Sequence, residues 1–450
     1  MTRMSIAALV LAAAAAAGAQ EQPAPAQPPG AATGAPSAPP AASAQPAPPP
    51  AVEIERVTFQ EAVRRASLQA TNMILAADEV RRSQALLTQV RSASLPFVGA
   101  SAAYTRLDGA RTSGPIELVA RDSFNANVSA QLPLIAPSRW VQWAHASEQI
   151  DVARANEAEV RRTVTLTTAR AYLSVLAQKR VIDVSRSARE IAKARYDFAH
   201  ARRVGGIGNA VDELRAEQQL ATAEAQLTSG EVALVRAQEA LGVITGGLGP
   251  LDAAEDPSFE TFDTAGATAR AEAQRLDLKA ARARSVAAEH VARDTWVEWL
   301  PTVLATAQGY YNDPAVITSP ETGWQVQFVL SLPIFEGFFR QGLQQERNVL
   351  ADEGRVQVEG TLRQVRSDVR VAIEEVRREE EALAQARLAA DRARSALQLV
   401  VESYRAGATN DLDVSTAQQQ SRDADLSAVI TEDAVRQARL DLVSAVGQFP

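Results

Sequence analysis

The stretch Ser123-Phe-Asn-Ala-Asn-Val-Ser-Ala-Gln-Leu-Pro-Leu134 alternates. Phe124, Ala126, Val128, Ala130, Leu132 and Leu134 are apolar; Ser123, Asn125, Asn127, Ser129 and Gln131 between them are polar. A period of two is a strand with one greasy and one wet face. Directly after it, from Ser138 to Val204, there is neither Gly nor Pro, and Ala, Arg, Glu, Leu and Val dominate. Pro137 is suited to open that helix. A helix of this length reaches roughly 100 Å at 1.5 Å per residue. Val164, Ala171, Val175 and Ile182 form one apolar stripe, and Leu166, Ala169, Leu173 and Leu176 another nearly opposite. A helix greasy on two sides fits a wall of helices with a neighbour on each side.

Outward from this unit the pattern is framed and then repeated. Thr58 and Glu61 form a capping-box pattern opening a helix from Phe59 to about Ser94. Leu95-Pro96 ends it, and Phe97–Leu107 is a strand with Val98, Ala100, Ala102 and Tyr104 on one face. After the long helix, Gly205, Gly206, Gly208 and Asn209 make a turn, and a helix runs from Ala210 to about Val243. Then the order recurs. A helix from Ala267 ends at Leu300-Pro301, and strands follow over Thr302–Tyr311 and Trp324–Ile334. A second long helix spans Phe338–Tyr404, a turn falls at Gly407, and a last helix begins at Asp411. The turns match best: Gly206-x-x-Asn209-x-x-Asp212 returns as Gly407-x-x-Asn410-x-x-Asp413. The chain is a tandem repeat of helix, strand, strand, long helix, turn, helix. Its expected segments are a signal peptide (1–19), a Pro/Ala-rich disordered spacer (20–55), repeat 1 (56–246), a linker (247–266) and repeat 2 (267–448).

Composition narrows the class. The net charge is −8, with 46 Lys+Arg against 54 Asp+Glu, which argues against a nucleic-acid partner. The absence of Cys removes disulfides, thiolate metal sites, Cys nucleophiles and N-terminal lipidation. Ile6–Ala17 is an apolar run after Arg3, followed by Ala17-Gly18-Ala19, the pattern of a cleaved export signal. Residues 20–50 hold eleven of the 22 prolines and cannot form a core. No later stretch has the ~18 continuous apolar residues of a spanning helix.

Four strands cannot close a barrel, for which about eight is the practical minimum. An open edge in lipid would leave backbone groups unpaired, so the strands require other copies of the chain. Trp140, Trp143, Trp296, Trp299, Trp324 and Phe338 lie at strand ends or in adjoining helix turns, as membrane-interface aromatics do. Catalytic constellations are missing: His145, His200 and His290 sit singly on helices and read as surface or packed residues. No cofactor or metal is expected, and the chain does not read as an enzyme. Asn209 and Asn410 read as helix N-caps, with Asp212 and Asp413 at the third helical position, where a carboxylate is favoured.

From Val57 to about Gln448 the sequence resembles the TolC-like outer membrane efflux proteins. The matching stretches are Val57-Thr58-Phe59-Gln60-Glu61-Ala62, Arg275-Leu276-Asp277-Leu278, the two Leu-Pro junctions, Gly208–Leu214, and Tyr404 through Asp413. The resemblance implies a mainly α chain with a membrane β-barrel: a homotrimer sharing a twelve-stranded barrel above a long helical periplasmic tunnel. It implies an outer membrane channel of a tripartite efflux or type I secretion system, working with a periplasmic adaptor and an inner-membrane pump. It also implies that Asp413 belongs to an acidic entrance ring, that Tyr404 bonds Asp212 to close the mouth, and that the tips (Gly205, Gly206, Gly208, Asn209, Gly407, Asn410) dock the adaptor. Thr409 and Thr416 stand where the family archetype has an Arg and a second ring Asp, which predicts a weaker ring. The alternative is a pore-less periplasmic coiled-coil adaptor or scaffold, which the four alternating strands and the repeat oppose.

Overall fold

The alternating residues 123–134 form the middle of the longest strand in a four-stranded antiparallel sheet. The computed structural model describes residues 54–113, 116–257, 264–315 and 320–449; the expected signal peptide and nearly all of the expected spacer lie outside these. In repeat 1, β1 (Glu55–Val57) leads into α1 (Phe59–Gln69) and α2 (Thr71–Ser92), then β2 (Phe97–Arg106). Two short strands follow, β3 (Arg111–Ser113) and β4 (Ile116–Val119), then β5 (Asp122–Ile135), α3 (Pro137–Val204) and α4 (Ala210–Ile244). Next come β6 (Leu251–Ala253), α5 (Ala267–Gln274), α6 (Leu276–Arg293) and a 3-10 turn over Asp294–Trp299. Repeat 2 is completed by β7 (Thr302–Asp313), β8 (Thr322–Ser331), α7 (Phe339–Arg405) and α8 (Asp411–Val446).

The sheet order is β2-β5-β7-β8, so β2 and β8 are its edges. In the middle of the sheet the register keeps one chemistry on each face; toward the helices Phe97, Pro133, Leu304 and Val329 put apolar side chains on the otherwise polar one. Val98, Ala130, Ala307 and Val326 stand opposite one another, as do Ala100, Val128, Gly309 and Trp324. The next rows in register carry Gly99, Ser129, Gln308 and Gln325, and then Ser101, Asn127 and Tyr310. Asn127 donates to Ser101 Oγ at 2.8 Å and Gln325 to Gln308 Oε1 at 3.0 Å, cross-strand bonds on the polar face. The apolar face is bare: Val128, Trp324, Val326, Phe328 and Leu330 are all exposed. A soluble sheet buries that face against a second layer, and none is present among the described residues.

The core lies among the helices. The two stripes of α3 face different neighbours. Val175 packs with Val57, Ala62, Tyr172, Leu241 and Leu251. Ala169 and Leu173 pack with Leu440 and Phe449. In repeat 2, Val365, Val369 and Ala372 of α7 meet Ala267, Ala271 and Leu278 on one side and Leu442 and Val446 of α8 on the other. A fully buried Val or Leu contributes about 1.5–3 kcal/mol. Alanines set many of these contacts and let long helices run close together.

Several elements depart from expectation. The helix expected over 59–94 is two helices, broken at Ala70, whose ψ of 135° leaves the helical region. The helix expected from 267 breaks at the corresponding place, Arg275, with ψ 127°. Neither residue is a helix breaker, so no local signal marks the bend. The linker after α4 supplies β6, which pairs in parallel with β1 through Glu55–Leu251, Arg56–Asp252 and Val57–Ala253. The loop after β2 contains the β3–β4 hairpin. β8 stops at Ser331, and the segment up to Phe338 turns away with Ile334 almost fully exposed. No helix of the described residues is long and apolar enough to cross a membrane.

Candidate functional site

The two helix-to-helix turns share one construction. After α3, Gly206 takes φ +77°, its N–H bonds Arg203 O at 3.0 Å, and Ile207 N–H bonds Arg202 O at 3.1 Å. After α7, Gly407 takes φ +78°, bonding Tyr404 O at 3.0 Å, while Ala408 N–H bonds Ser403 O at 2.8 Å. This double closure satisfies the last carbonyls of each long helix and needs a residue tolerant of positive φ. The next helix is then capped by asparagine. Asn209 Oδ1 accepts from Val211 N–H at 3.1 Å, and Asn410 Oδ1 from Asp413 N–H at 3.0 Å. Asp413 returns a bond to Asn410 N–H at 3.5 Å, completing a capping box. In repeat 1 the corresponding Asp212 makes no such return bond.

Asp413 is exposed, one helical turn from the exposed Thr416, whereas Asp212 and Tyr404 are half-buried. The structure does not bring Tyr404 and Asp212 together. Tyr404 Oη instead accepts from Arg202 Nη1 at 3.1 Å, and Arg202 lies over the Phe198 ring at 5.7 Å.

One heptad earlier on α3, Arg195 makes a second crossing to repeat 2. Its Nη2 donates to Asp411 O at 2.8 Å and to the Asp411 carboxylate; its Nη1 donates to Gln418 Oε1 at 2.7 Å and Gln219 Oε1 at 3.0 Å. The Arg195 and Asp411 side chains retain only 10% and 11% of their exposure. Gln219 also donates to Ser415 Oγ. Beside this contact the helices part around a cavity of about 970 Å³, lined by both polar and apolar residues of α3, α4, α7 and α8, among them Ser187, Gln218 and Arg394, and Ile191, Leu397 and Val429. The sequence reading missed Arg195, Asp411 and Gln418. Their only signal was the seven-residue spacing of Arg195 and Arg202, which puts two arginines on one face of α3.

The three histidines are not isolated. His145 faces Asp294 at 3.2 Å, His290 faces Glu148 at 2.6 Å, and His200 faces Glu213 at 2.6 Å. Glu213 is buried and also holds Arg203, so it ties α3 to α4 beside the turn. Among the described residues, no group of His, Asp and Glu is arranged to hold a metal ion.

At the other end of α3, five of the six singled-out aromatics collect where strands become helices. Trp140 and Trp143 are in the first turns of α3, Trp296 and Trp299 in the 3-10 turn before β7, and Phe338 just before α7. Trp324 is alone near the loop end of β8. All six are exposed. Arg91 stacks over Trp143 and Arg340 over Trp299, each at 4.7 Å, and Phe338 adopts φ +67° with its ring edge-on to Phe335.

Comparison with known proteins agrees with this architecture. The chain superposes on the Campylobacter jejuni CmeC outer membrane channel with a TM-score of 0.76 at 16% identity, covering 87% of this chain and 86% of that one. The Vibrio cholerae outer membrane protein VceC gives 0.71 at 18% identity over 86% and 96% of the two chains. The Neisseria gonorrhoeae MtrE outer membrane channel gives 0.71 at 18% identity over 86% and 88%. In sequence, a 283-residue stretch is 28% identical to the fusaric acid resistance protein FusA of Burkholderia cepacia; it covers 57% of this chain and about half (52%) of that protein's length. Residues 62–247 and 268–448 each match the outer membrane efflux protein family, so most of the chain is accounted for, and the chain belongs to that family.

Proposed function

We propose that this chain is the outer membrane channel of a tripartite efflux or type I secretion system. The observation that carries the reading is the sheet: four strands, greasy on one face and wet on the other, with both edge strands β2 and β8 unpaired. Three copies joined β8 to β2 supply twelve strands, close the barrel and satisfy every edge. The bare apolar face then meets lipid, the polar face lines the lumen, and the exposed aromatics sit at the two membrane interfaces. The helices of the two repeats, 56–246 and 267–448, form the periplasmic wall, with the linker 247–266 around its waist. Residues 1–19 direct export as a cleaved signal peptide, and with no Cys the mature end is not lipidated. The tips (Gly205, Gly206, Gly208, Asn209, Gly407, Asn410) dock a periplasmic adaptor that links to an inner-membrane pump. Asp212, Tyr404 and Asp413 stand at the entrance.

The test is the mass of the protein extracted from outer membranes in mild detergent, followed by planar-bilayer recording. A trimer that conducts ions supports the reading. A detergent-independent monomer in the periplasmic fraction overturns it in favour of a pore-less scaffold.

Asp413 is the exposed carboxylate at each tip, and three copies around a narrow mouth attract cations. Asp413→Ala is expected to lower the cation-over-anion permeability ratio by about two- to fivefold, the effect of losing roughly 0.5–1 kcal/mol of attraction per charge in water. The trimer's thermal midpoint should move little, because Asn410 still caps α8. Unchanged reversal potentials in a salt gradient would remove Asp413 from the selectivity role.

A further inference from the structure

We infer that Arg91 and Arg139, framed by Trp140 and Trp143, bind the anionic headgroup of a phospholipid at the periplasmic face of the membrane, one site in each protomer; this rests on the channel reading above. Arg91 lies in the last turn of α2 and Arg139 in the first turn of α3, so the pair flanks the place where β2 begins and β5 ends. Two contacts hold it together. The Arg91 guanidinium lies 4.7 Å over the Trp143 ring, and Arg139 Nη1 donates to Ala93 O just past the end of α2. Both arginines and both tryptophans are exposed.

Three features mark this pair out from ordinary surface arginines. First, its charge is not neutralised. Among the described residues neither arginine has a carboxylate partner. The sequence explains why: there is no Asp or Glu between Glu79 and Asp108, nor between Asp122 and Glu148. Second, the donors are unspent. Stacking on Trp143 engages the flat face of the Arg91 guanidinium and leaves its N–H edge open, and Arg139 commits only Nη1. Third, repeat 2 builds the same stack and closes it. Arg340 lies 4.7 Å over Trp299, but its Nε donates to Glu336 Oε2 at 2.8 Å and its Nη2 to Pro333 O at 2.5 Å, and its side chain is only 5% exposed. The repeat thus makes two arginine–tryptophan stacks and leaves the one in repeat 1 positive and open.

Depth identifies the occupant. The strand ends mark the edge of the hydrocarbon layer, and headgroups extend about 5–8 Å beyond it. Arg139 follows the end of β5 by four residues, roughly 6 Å along a helix, and so falls within the headgroup layer. Tryptophan favours that layer because its ring meets acyl chains while its N–H meets water. Unpaired arginines there draw anionic lipid, and the guanidinium fork matches two phosphate oxygens. A free phosphate ion would use the arginines and have no use for the two rings; a lipid uses both. The bound headgroup would bridge the end of α2 to the start of α3, at the junction where strands pass into helices. Lysine is a poor replacement for Arg91, since an ammonium cannot lie flat on Trp143 and present a fork at once.

The experiment adds dioleoylphosphatidylglycerol, dioleoylphosphatidylcholine or inorganic phosphate to the delipidated trimer in mild detergent. Native mass spectrometry counts bound lipid, and the thermal midpoint is followed in parallel. Phosphatidylglycerol is expected to bind in up to three copies per trimer and to raise the midpoint, whereas phosphatidylcholine and inorganic phosphate do neither. Arg91→Gln and Arg139→Gln are each expected to weaken phosphatidylglycerol binding at least about fivefold. Arg81→Gln removes a charge from the same helix that is already paired with Asp78, and should leave binding unchanged. Equal binding of the two lipids by the wild type, or unchanged binding in Arg91→Gln, overturns the site; so does an equal midpoint rise with inorganic phosphate. Should Arg139→Gln fail to assemble, Arg91→Gln decides by the same criteria. A chain that stays monomeric yet binds phosphatidylglycerol through Arg91 would defeat the channel reading and leave the lipid site standing.

Discussion

Tyr172→Ala is expected to lower stability by about 3–5 kcal/mol, the usual range for deleting a fully buried aromatic side chain. Tyr172 lies in the middle of α3 with no exposed surface. Its ring meets Phe59 edge-on, with centroids 5.5 Å apart, and it packs with Val57, Ala62, Val175, Leu241 and Leu251. Apart from Val175 on α3 itself, these residues come from β1, α1, α4 and β6, so one ring joins the start of repeat 1 to the linker that follows it. The hydroxyl adds a polar tie. It donates to Glu255 O at 2.9 Å, with Val57 O at 3.3 Å as the alternative acceptor, and accepts from Glu255 N–H at 3.2 Å. Tyr172→Phe keeps the ring and strands those backbone groups, so it should cost about 1–3 kcal/mol. Thermal midpoints of the detergent-solubilised protein separate the two contributions. Equal effects from both variants would mean that the hydroxyl, not the ring, holds the linker. Burial also pushes the phenol above its ordinary value of 10. The folded state therefore holds this proton longer than the unfolded chain, and stability should fall as pH climbs past that value. Tyr172→Phe should abolish this share of the alkaline loss.

The parts of the fold legible in the sequence were those with a strong period or a strong breaker. Residues 123–132 alternate without interruption, and the structure gives strand over all of them. The span between Pro137 and the glycines at 205 and 206 has nothing to stop a helix, and α3 fills it. The caps were legible because Asn209 and Asn410 each lie three residues after a turn glycine, Gly206 and Gly407, and open a Gly-free, Pro-free run. What was hidden depends on tertiary contacts. Ala70 and Arg275 are good helix formers that nevertheless bend the chain, because packing beneath them overrides propensity. β6 is three residues long and exists by virtue of β1, about 200 residues earlier.

The helix-to-helix turns were legible in position and not in wiring. The repeated Gly-x-x-Asn-x-x-Asp pattern located both turns and the acidic residues after them. A hydrogen bond between Tyr404 and Asp212 was expected from resemblance, and the hydroxyl is bonded to Arg202 instead. Which of several arginines on a long polar helix reaches across is set by its rotational phase against a partner hairpin. A seven-residue spacing of arginines is common in such a helix, so Arg195 and Arg202 did not stand out among the other charges. The histidines illustrate the same point. No second histidine or cysteine lies near any of them in sequence, yet each meets a carboxylate, and for His145 and His290 that carboxylate is more than 100 residues away in the chain.

Arg275→Met should produce a comparable loss of stability, about 3–5 kcal/mol, and should also reverse its dependence on acid. Arg275 is buried at the bend between α5 and α6. Its Nη2 donates to Asp277 Oδ2 at 2.6 Å, its Nε to Asp277 Oδ1 at 3.1 Å, and its Nη1 to Asp368 Oδ2 on α7 at 2.8 Å. The bend is crowded: the end of α8 rests on it, and a Cβ at Gly447, which has φ +80°, would come within 3.1 Å of Arg275 N. Methionine fills similar space but leaves two carboxylates without their partner. For Asp277, burial by itself would raise the carboxyl; the hydrogen bonds and charge of Arg275 outweigh it and hold the group below its ordinary value of 3.8. A carboxyl depressed in the folded state stabilises the fold fully above the unfolded value, and this contribution is lost as pH falls through the folded value. In Arg275→Met, burial acts unopposed by that partner, and the Asp277 carboxyl should rise above the unfolded value. Its protonation would then favour the fold, so the variant should gain stability as pH falls over the range where the wild type is still flat. Thermal midpoints measured from neutral pH down into the acid range provide the check. Parallel curves for the two proteins would show that Asp277 does not depend on Arg275, and the bend would then owe its stability to the packing of Ala271, Leu278 and Val446.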